Sequence, residues 1–225
     1  MARIIAVGCS FTFGHCLHSE DQRPNIPSPQ AWPALVAQHF NRECVNLSYP
    51  AGNPRYCAAK ILEFDFEPGD IMLVLWPNLH RNWIVTDFDR WENFEPWEDP
   101  FNRNPDLAVG ATFWTPVVPD YERWWSKGYS NTSDRECEAW MAKHLARLRL
   151  KDQGIPCVEY AVPSYDVEET YTASCRFNTP WITEFPLWHT LYVDRARDGM
   201  HPGFKTHKNF AKRWIKTIKQ QGILE

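Results

Sequence analysis

Residues 3–14 have the sequence RIIAVGCSFTFG, an apolar, β-branched run followed by a turn. The run predicts a buried strand. Gly8 allows a sharp turn, and Ser10 then lies at the carboxyl end of the strand, where open α/β sheets place their ligands. If a helical turn follows, its first N–H groups point towards whatever binds at Ser10. The stretch suits a nucleophilic serine, and a strand-to-helix turn capped by Ser10 is the alternative.

Length and composition favour one soluble-type globular domain over residues 1–225. The 225 residues are 44% hydrophobic and 23% charged, which is ordinary for such a domain. A net charge of −4 excludes the basic surface expected of a nucleic-acid-binding protein. No apolar run approaches the ~18 residues of a membrane span, and residues 3–7 are too short a run for a signal peptide. We therefore expect a cytoplasmic protein without membrane insertion, and a virus-encoded origin fits the same observations.

The seven cysteines do not form the pattern of a disulfide framework or a metal site. Their number is odd, their spacing is wide and the sequence holds no Cys-x-x-Cys, so we expect buried thiols in a reducing compartment. His15, Cys16 and His18 lie close together, but no second cluster at ligand spacing accompanies them. The sequence therefore predicts no metal.

Strands and helices alternate along the chain. Further strands are predicted at 44–48, 71–76 and 155–161, with helices at 31–40, after Asn53-Pro54, after a capping box at 133–136 and from Phe204 onwards. This alternation predicts a three-layer α/β/α sandwich around a central, mostly parallel, flavodoxin-like sheet. The turns that follow three strands carry Ser10, Gly52 and Asn78, which we expect at the same sheet edge.

Twelve tryptophans are the unusual feature of the composition, and seven of them lie between residues 76 and 125. Aromatic side chains at this density line a sugar- or acyl-binding cleft or bury an interface, as in a homo-oligomer or a larger assembly; a minor core is the alternative. Residues 82–132 are too long for an ordinary connection and predict a functional insertion. Residues 163–197 are predicted to be irregular.

Asp198 and His201 stand three residues apart in a loop that contains glycine. At this spacing the carboxylate can reach the imidazole, fix its tautomer and stabilise its protonated form. The last helix could bring this loop above the carboxyl strand ends, within reach of Ser10. An isolated Asp-x-x-His is also typical of a helix-capping loop with an exposed histidine.

Four blocks in the same order resemble the SGNH (GDSL-like) hydrolases. The first and last match well, whereas Cys9 replaces the usual Asp of the first block, and Trp76 and Leu79 replace the Gly and Asp of the third. The blocks are Gly8 to Gly14, Asn46 to Gly52, Trp76-Pro77-Asn78-Leu79 and Asp198-Gly199-Met200-His201-Pro202.

The resemblance implies a serine esterase that needs no cofactor. Ser10 would attack an ester carbonyl, His201 would act as general base, and Asp198 would orient His201. The N–H groups of Ser10 and Gly52 and the side-chain amide of Asn78 would form the oxyanion hole. A nucleophilic Cys9 or Cys16 is the alternative, but Cys9 would point away from a site that Ser10 faces.

The substrate follows less directly from the sequence. The tryptophans favour a carbohydrate that carries an acetyl or another small O-acyl group, with a lipid ester as the alternative. Trp76, His80 and Arg81 are candidate substrate-binding residues. A non-catalytic carbohydrate-binding or assembly subunit on the same scaffold is the rival function.

Overall fold

The computed structural model describes residues 2–17, 26–50, 52–77, 83–84, 110–111, 132–162 and 188–225. These residues form six strands and six helices. In chain order they are β1 (Arg3–Val7), α1 (Ser10–Phe13), α2 (Trp32–His39), β2 (Glu43–Asn46), α3 (Pro54–Glu63), β3 (Ile71–Trp76), β4 (Trp83–Ile84), β5 (Gly110–Ala111), α4 (Thr132–Asp152), β6 (Cys157–Ala161), α5 (Trp188–Leu191) and α6 (Phe204–Gln220).

The central sheet is parallel, with strand order β2-β1-β3-β6. All six residues of β3 are buried, as expected for the middle of a parallel sheet covered on both faces. Alternation along β1 and β3 sends one set of side chains towards α2 and α6 and the other towards α3 and α4. The predicted α/β/α architecture is therefore confirmed.

The two helical layers pack on separate apolar cores. On one face Trp32 of α2 stacks on Trp214 of α6, with ring centroids 4.6 Å apart and planes 5° apart. Tyr160 of β6 meets the edge of Trp214 and shares a 2.7 Å hydrogen bond with Thr217. These contacts fix α6 against the sheet, so they also fix the loop that precedes it.

A buried ion pair aligns the starts of β1 and β3. Asp70 is fully buried and accepts hydrogen bonds from the Arg3 backbone N–H at 3.0 Å and from its guanidinium at 2.6 Å. It also accepts from the Glu67 N–H at 2.9 Å. Burial raises the pKa of Asp70, but these hydrogen bonds outweigh it and hold that pKa below its usual value.

Several predicted helix boundaries are confirmed by their caps. Asn53 caps α3, since its side-chain oxygen accepts from the Tyr56 N–H at 2.8 Å, and Pro54 begins the helix. Pro33 lies in the first turn of α2, where proline is tolerated. The predicted start of α4 is wrong: the helix begins at Thr132, so Ser133 lies inside it and is not its N-cap.

One stretch differs from its prediction, and the insertion contains a small sheet that the sequence left unassigned. Residues 188–191, inside the predicted irregular stretch, form α5. Within the insertion predicted at 82–132, Trp83–Ile84 pairs with Gly110–Ala111 as a two-stranded antiparallel sheet. No helix in the described part of the chain is long and apolar enough to cross a membrane.

The six described cysteines are free thiols. Cys9 and Cys57 are buried as predicted, whereas the other four are half-buried. Burial raises the pKa of Cys44 to about 12 and also raises the pKa of Cys157. Cys175 lies outside the described residues.

Candidate active site

The turn after β1 places Ser10 at the start of a short helix. Cys9 is the N-cap residue, and its carbonyl accepts from the N–H groups of Thr12 at 2.9 Å and Phe13 at 3.0 Å. Ser10 is therefore the first helical residue rather than the cap, and its own N–H is not used by the helix. Its side chain is buried at 4% exposure.

Gly8 is required by the close packing of this turn. A Cβ at Gly8 would lie 2.2 Å from Thr12 Oγ1 and 2.9 Å from the carbonyl oxygen of Leu75 in β3. Gly8 thus lets α1 fold back over the ends of β1 and β3. Gly14 ends the helix with φ +76°, the left-handed conformation that glycine adopts without strain.

The loop after β2 packs against the same turn. The Tyr49 N–H donates to the Gly8 carbonyl at 3.4 Å, and the Asn46 side-chain amide donates to the Thr12 carbonyl at 2.9 Å. The structure therefore brings the Ser10 and Gly52 blocks together, as predicted. The Gly52 N–H itself donates to the Tyr49 carbonyl at 3.0 Å, so its role as an oxyanion donor stays a prediction.

Asp198 and His201 form a hydrogen-bonded pair within one loop. The Asp198 carboxylate pairs with His201 Nδ1 and also accepts from the Met200 and His201 backbone N–H groups, each at 3.0 Å. Burial raises the pKa of Asp198, but hydrogen bonds from the backbone and ring of His201 and from Met200 outweigh it and hold that pKa well below its usual range. The carboxylate is thus ionised and able to orient the imidazole.

The loop that carries this pair is held to the first turn of α6 by Asp194 and not by Asp198. The Asp194 carboxylate accepts from the Lys205 N–H at 3.0 Å and the Thr206 N–H at 2.7 Å, in the first turn of α6. A Cβ at Gly203 would lie 2.6 Å from the Asp194 carboxylate. Helix capping was the alternative role for the Asp-x-x-His loop. Asp194 caps α6 instead, and the Asp198 carboxylate pairs with His201.

The loop lies against α1 and the residues that follow it. The His201 ring meets the Phe11 ring edge-on at 5.8 Å between centroids and the His15 ring at 4.9 Å. The Arg197 N–H donates to the Cys16 carbonyl at 3.4 Å. Among the described residues no hydrogen bond joins the Ser10 hydroxyl to His201. The Asp198–His201 pair thus lies beside the serine turn but is not hydrogen-bonded to Ser10.

Three further residues surround the pair: Tyr192 and His15, which were not predicted to belong to the esterase site, and Cys16, the alternative nucleophile. Tyr192 packs near Phe11, at 6.5 Å between centroids, and its hydroxyl donates to the Met200 carbonyl at 2.7 Å. Cys16, with a positive φ of 60°, hydrogen-bonds to Asp198, and burial together with that carboxylate raises its pKa to about 11. Burial and the neighbouring His201 lower the pKa of His15.

The remaining predicted site residues fall in two groups. Asn78, His80 and Arg81 lie outside the described residues. Trp76 is 1% exposed, and its indole N–H donates to Glu159 on β6 at 2.7 Å. This places the Trp76 ring in the core beneath α4, not on a surface open to substrate.

Comparison with known proteins finds similarity of structure rather than of sequence. No protein-family model matches the chain. No curated protein matches it.

Several solved structures are similar to this chain, and two of them are described here. One is a lipolytic protein of the G-D-S-L family from Desulfitobacterium hafniense DCB-2, with a TM-score of 0.50 and 13% identity over 96% of this chain and 99% of that one. The other is a carbohydrate esterase whose active site is described as having divergent catalytic and non-catalytic binding functions. It has a TM-score of 0.52 and 10% identity over 99% of this chain and 70% of that one. This chain thus has the fold of the SGNH (GDSL-like) hydrolases.

Proposed function

We propose that the protein is a serine esterase whose nucleophile is Ser10. The observation that carries the proposal is the Asp198–His201 pair, which lies against the helical turn that begins at Ser10. A serine, an imidazole and an oriented carboxylate are the groups that nucleophilic acyl transfer requires.

The proposed reaction has two stages. His201 takes the Ser10 proton as the hydroxyl oxygen attacks the ester carbonyl, and it then donates that proton to the leaving alcohol. Water attacks the acyl-enzyme in the second stage, with His201 again acting as general base. Asp198 holds the His201 tautomer and stabilises the imidazolium throughout.

The developing oxyanion needs hydrogen-bond donors. We assign this role to the N–H groups of Ser10 and Gly52 and the side-chain amide of Asn78. The packing of the Gly52 loop against Gly8 supports the pairing of the first two. One such donor is typically worth ~10²–10³-fold in rate. Asn78→Ala should therefore lower kcat more than it raises KM.

For the substrate we propose a carbohydrate that carries a small O-acyl group such as acetyl. The tryptophan-rich composition supports this class because sugar rings stack on indole faces. Phe11 and Tyr192 add aromatic surface beside His201. The similarity in fold to a carbohydrate esterase is in keeping with this substrate.

The first test is hydrolysis of p-nitrophenyl acetate by the wild type and by Ser10→Ala. Turnover should be lost in Ser10→Ala and in His201→Ala while far-UV circular dichroism stays unchanged. Turnover that persists in either folded variant would contradict the proposed nucleophile or base. Acetylated oligosaccharides, compared with long-chain lipid esters at equal concentration, then test the substrate class.

A non-catalytic carbohydrate-binding function is the second candidate. It is favoured by the absence of a Ser10–His201 hydrogen bond in the described structure. The structurally similar carbohydrate esterase is itself described as having non-catalytic binding functions. Calorimetric binding of oligosaccharides without turnover of any ester, and with the same affinity in Ser10→Ala, would support this candidate over the esterase.

A further inference from the structure

Metal-ligating side chains from two distant parts of the chain meet beside α1. A thiol sulfur of Cys16, a carboxylate oxygen of Asp198 and a ring nitrogen of His201 all lie within 4.8 Å of one another. Cys16 follows α1, whereas the other two come from the loop before α6. The sequence shows no second cluster at ligand spacing near Cys16, but the fold supplies one from 180 residues further along the chain.

We propose that Cys16, Asp198 and His201 bind a borderline-soft divalent cation such as Zn²⁺, and that the bound ion reversibly inhibits the enzyme. The inhibition rests on the proposed esterase function, whereas the binding does not. One thiolate, one imidazole and one carboxylate are the donors that Zn²⁺ takes in proteins. Three such ligands leave one position of a tetrahedron for water.

The geometry is close to what a tetrahedral ion needs. Metal–ligand bonds of ~2.0–2.3 Å place neighbouring ligand atoms roughly 3.3–3.8 Å apart. The limit of 4.8 Å means that the most distant of the three atoms must approach by about 1 Å. Asp198 and His201, which are already in hydrogen-bond contact, must instead move apart. The side chains of Asp198 and His201 are 20% and 19% exposed, so an ion reaches them directly from solvent.

Binding changes the bonding of the catalytic pair. The metal–sulfur bond forms as the Cys16 thiol releases its proton to solvent, because only the thiolate is a ligand. Where His201 Nδ1 is the ligand, it releases its proton to solvent and Nε2 takes one up, so the ring stays neutral. The hydrogen bond from Nδ1 to Asp198 breaks as both groups turn lone pairs towards the ion. A metal-bound imidazole no longer accepts the Ser10 proton, whichever ring nitrogen holds the ion. No electrons are transferred, so a chelator restores the original state.

Cobalt tests the site without reference to activity, because a Co²⁺–thiolate bond has a charge-transfer absorption in the near ultraviolet. We expect Co²⁺ titrated into the full chain under reducing conditions to produce this band, saturating at one equivalent. Cys16→Ser should abolish the band and His201→Ala should weaken it. Cys137→Ser, which alters another partly exposed free thiol, is the matched control and should retain it. An absent band, or an unchanged one in Cys16→Ser, would overturn the site.

Zinc inhibition tests whether the bound ion prevents catalysis. We expect Zn²⁺ to inhibit p-nitrophenyl acetate hydrolysis, with the inhibition removed by EDTA and weakened at least ~10-fold in Cys16→Ser. Each variant is compared with its own metal-free rate. Equal inhibition of Cys16→Ser and wild type would contradict the proposal. A protein that binds Co²⁺ but hydrolyses no ester would refute the esterase function and leave the metal site standing.

Discussion

The backbone of Gly52 lies so close to that of Gly8 that a Cβ at Gly52 would be 2.9 Å from the Gly8 carbonyl oxygen. The same Cβ would be 3.0 Å from the Tyr49 carbonyl oxygen. Two loops that follow neighbouring parallel strands thus meet backbone to backbone, two residues before Ser10. The geometry of the serine turn therefore depends on a glycine in a different loop.

Substitution of Gly52 tests this dependence. Gly52→Ala should lower the free energy of unfolding by about 1–3 kcal/mol, since neither carbonyl is the end of a flexible side chain. It should also lower kcat, because the displaced Gly8 carries Ser10 with it. Gly154→Ala is the control: its Cβ meets open space, and only the strain of φ +67° remains, about 1 kcal/mol. Equal kcat for Gly52→Ala and wild type would contradict the dependence.

Asp198→Asn tests the orienting carboxylate. The amide oxygen can still accept from the Met200 and His201 N–H groups, so the loop should keep its shape. The negative charge that stabilises the imidazolium is lost, and kcat should fall on the order of 10³–10⁴-fold. Asp152→Asn, at an exposed position in α4, should leave the rate unchanged. A fall of less than about tenfold in Asp198→Asn would contradict the assigned role.

His207 should make the protein sensitive to acid. Its ring is fully buried, and Nδ1 accepts from the Trp32 N–H at 3.1 Å, so the ring is neutral in the folded state. Burial lowers the pKa of His207 to about 3 from 6.5. Protonation therefore favours the unfolded chain, and stability should fall as pH drops below about 6.5 towards 3.

Urea unfolding between about pH 7 and pH 4 measures this loss. In His207→Asn the amide oxygen can accept from the Trp32 N–H and does not titrate. The variant should be less stable at neutral pH, because it leaves a cavity, but its stability should fall less steeply on acidification. His39→Asn, at an exposed position, should keep the wild-type slope. Parallel slopes for His207→Asn and wild type would contradict the prediction.

Glu159 should stabilise the end of β3. It accepts from the Trp76 indole at 2.7 Å and from Arg147 of α4 at 2.5 Å. Glu159→Ala leaves the buried indole N–H without this acceptor and should cost about 1–3 kcal/mol. Glu159→Gln keeps an acceptor for Trp76 and should cost less, since the Arg147 side chain is 41% exposed and screened by solvent. Thermal unfolding of the two variants compares these costs, and equal values would contradict a role for the indole bond.

Sequence patterns predicted the sheet well because β1 and β3 are almost uniformly apolar. Such runs are typical only of strands covered on both faces. The start of α3 was equally predictable, because the N-cap Asn53 and the first helical residue Pro54 act on their own helix. The pairing of Asp198 with His201 was predicted for the same reason, since both lie in one short loop.

Contacts between segments that are distant in the chain could not be predicted from sequence patterns. Asp194 caps α6 from ten residues before Phe204, the first residue of the helix, across the loop that holds His201. Cys16 meets Asp198 only because the residues after α1 lie against that loop. Trp76 was predicted as a substrate-binding residue, yet alternation puts it on the same face as Met72 and Val74, inside the core.

The packing of the Asp198–His201 loop against the serine turn also has a consequence for biosynthesis. The serine turn is made early in translation, whereas Asp198 and His201 leave the ribosome only near the end of the described chain. A nascent or truncated chain that ends before Asp198 therefore holds the proposed nucleophile without its proposed base. A chain cut between β3 and α4 would divide these groups between two fragments, so esterase activity on mixing would report their reassembly.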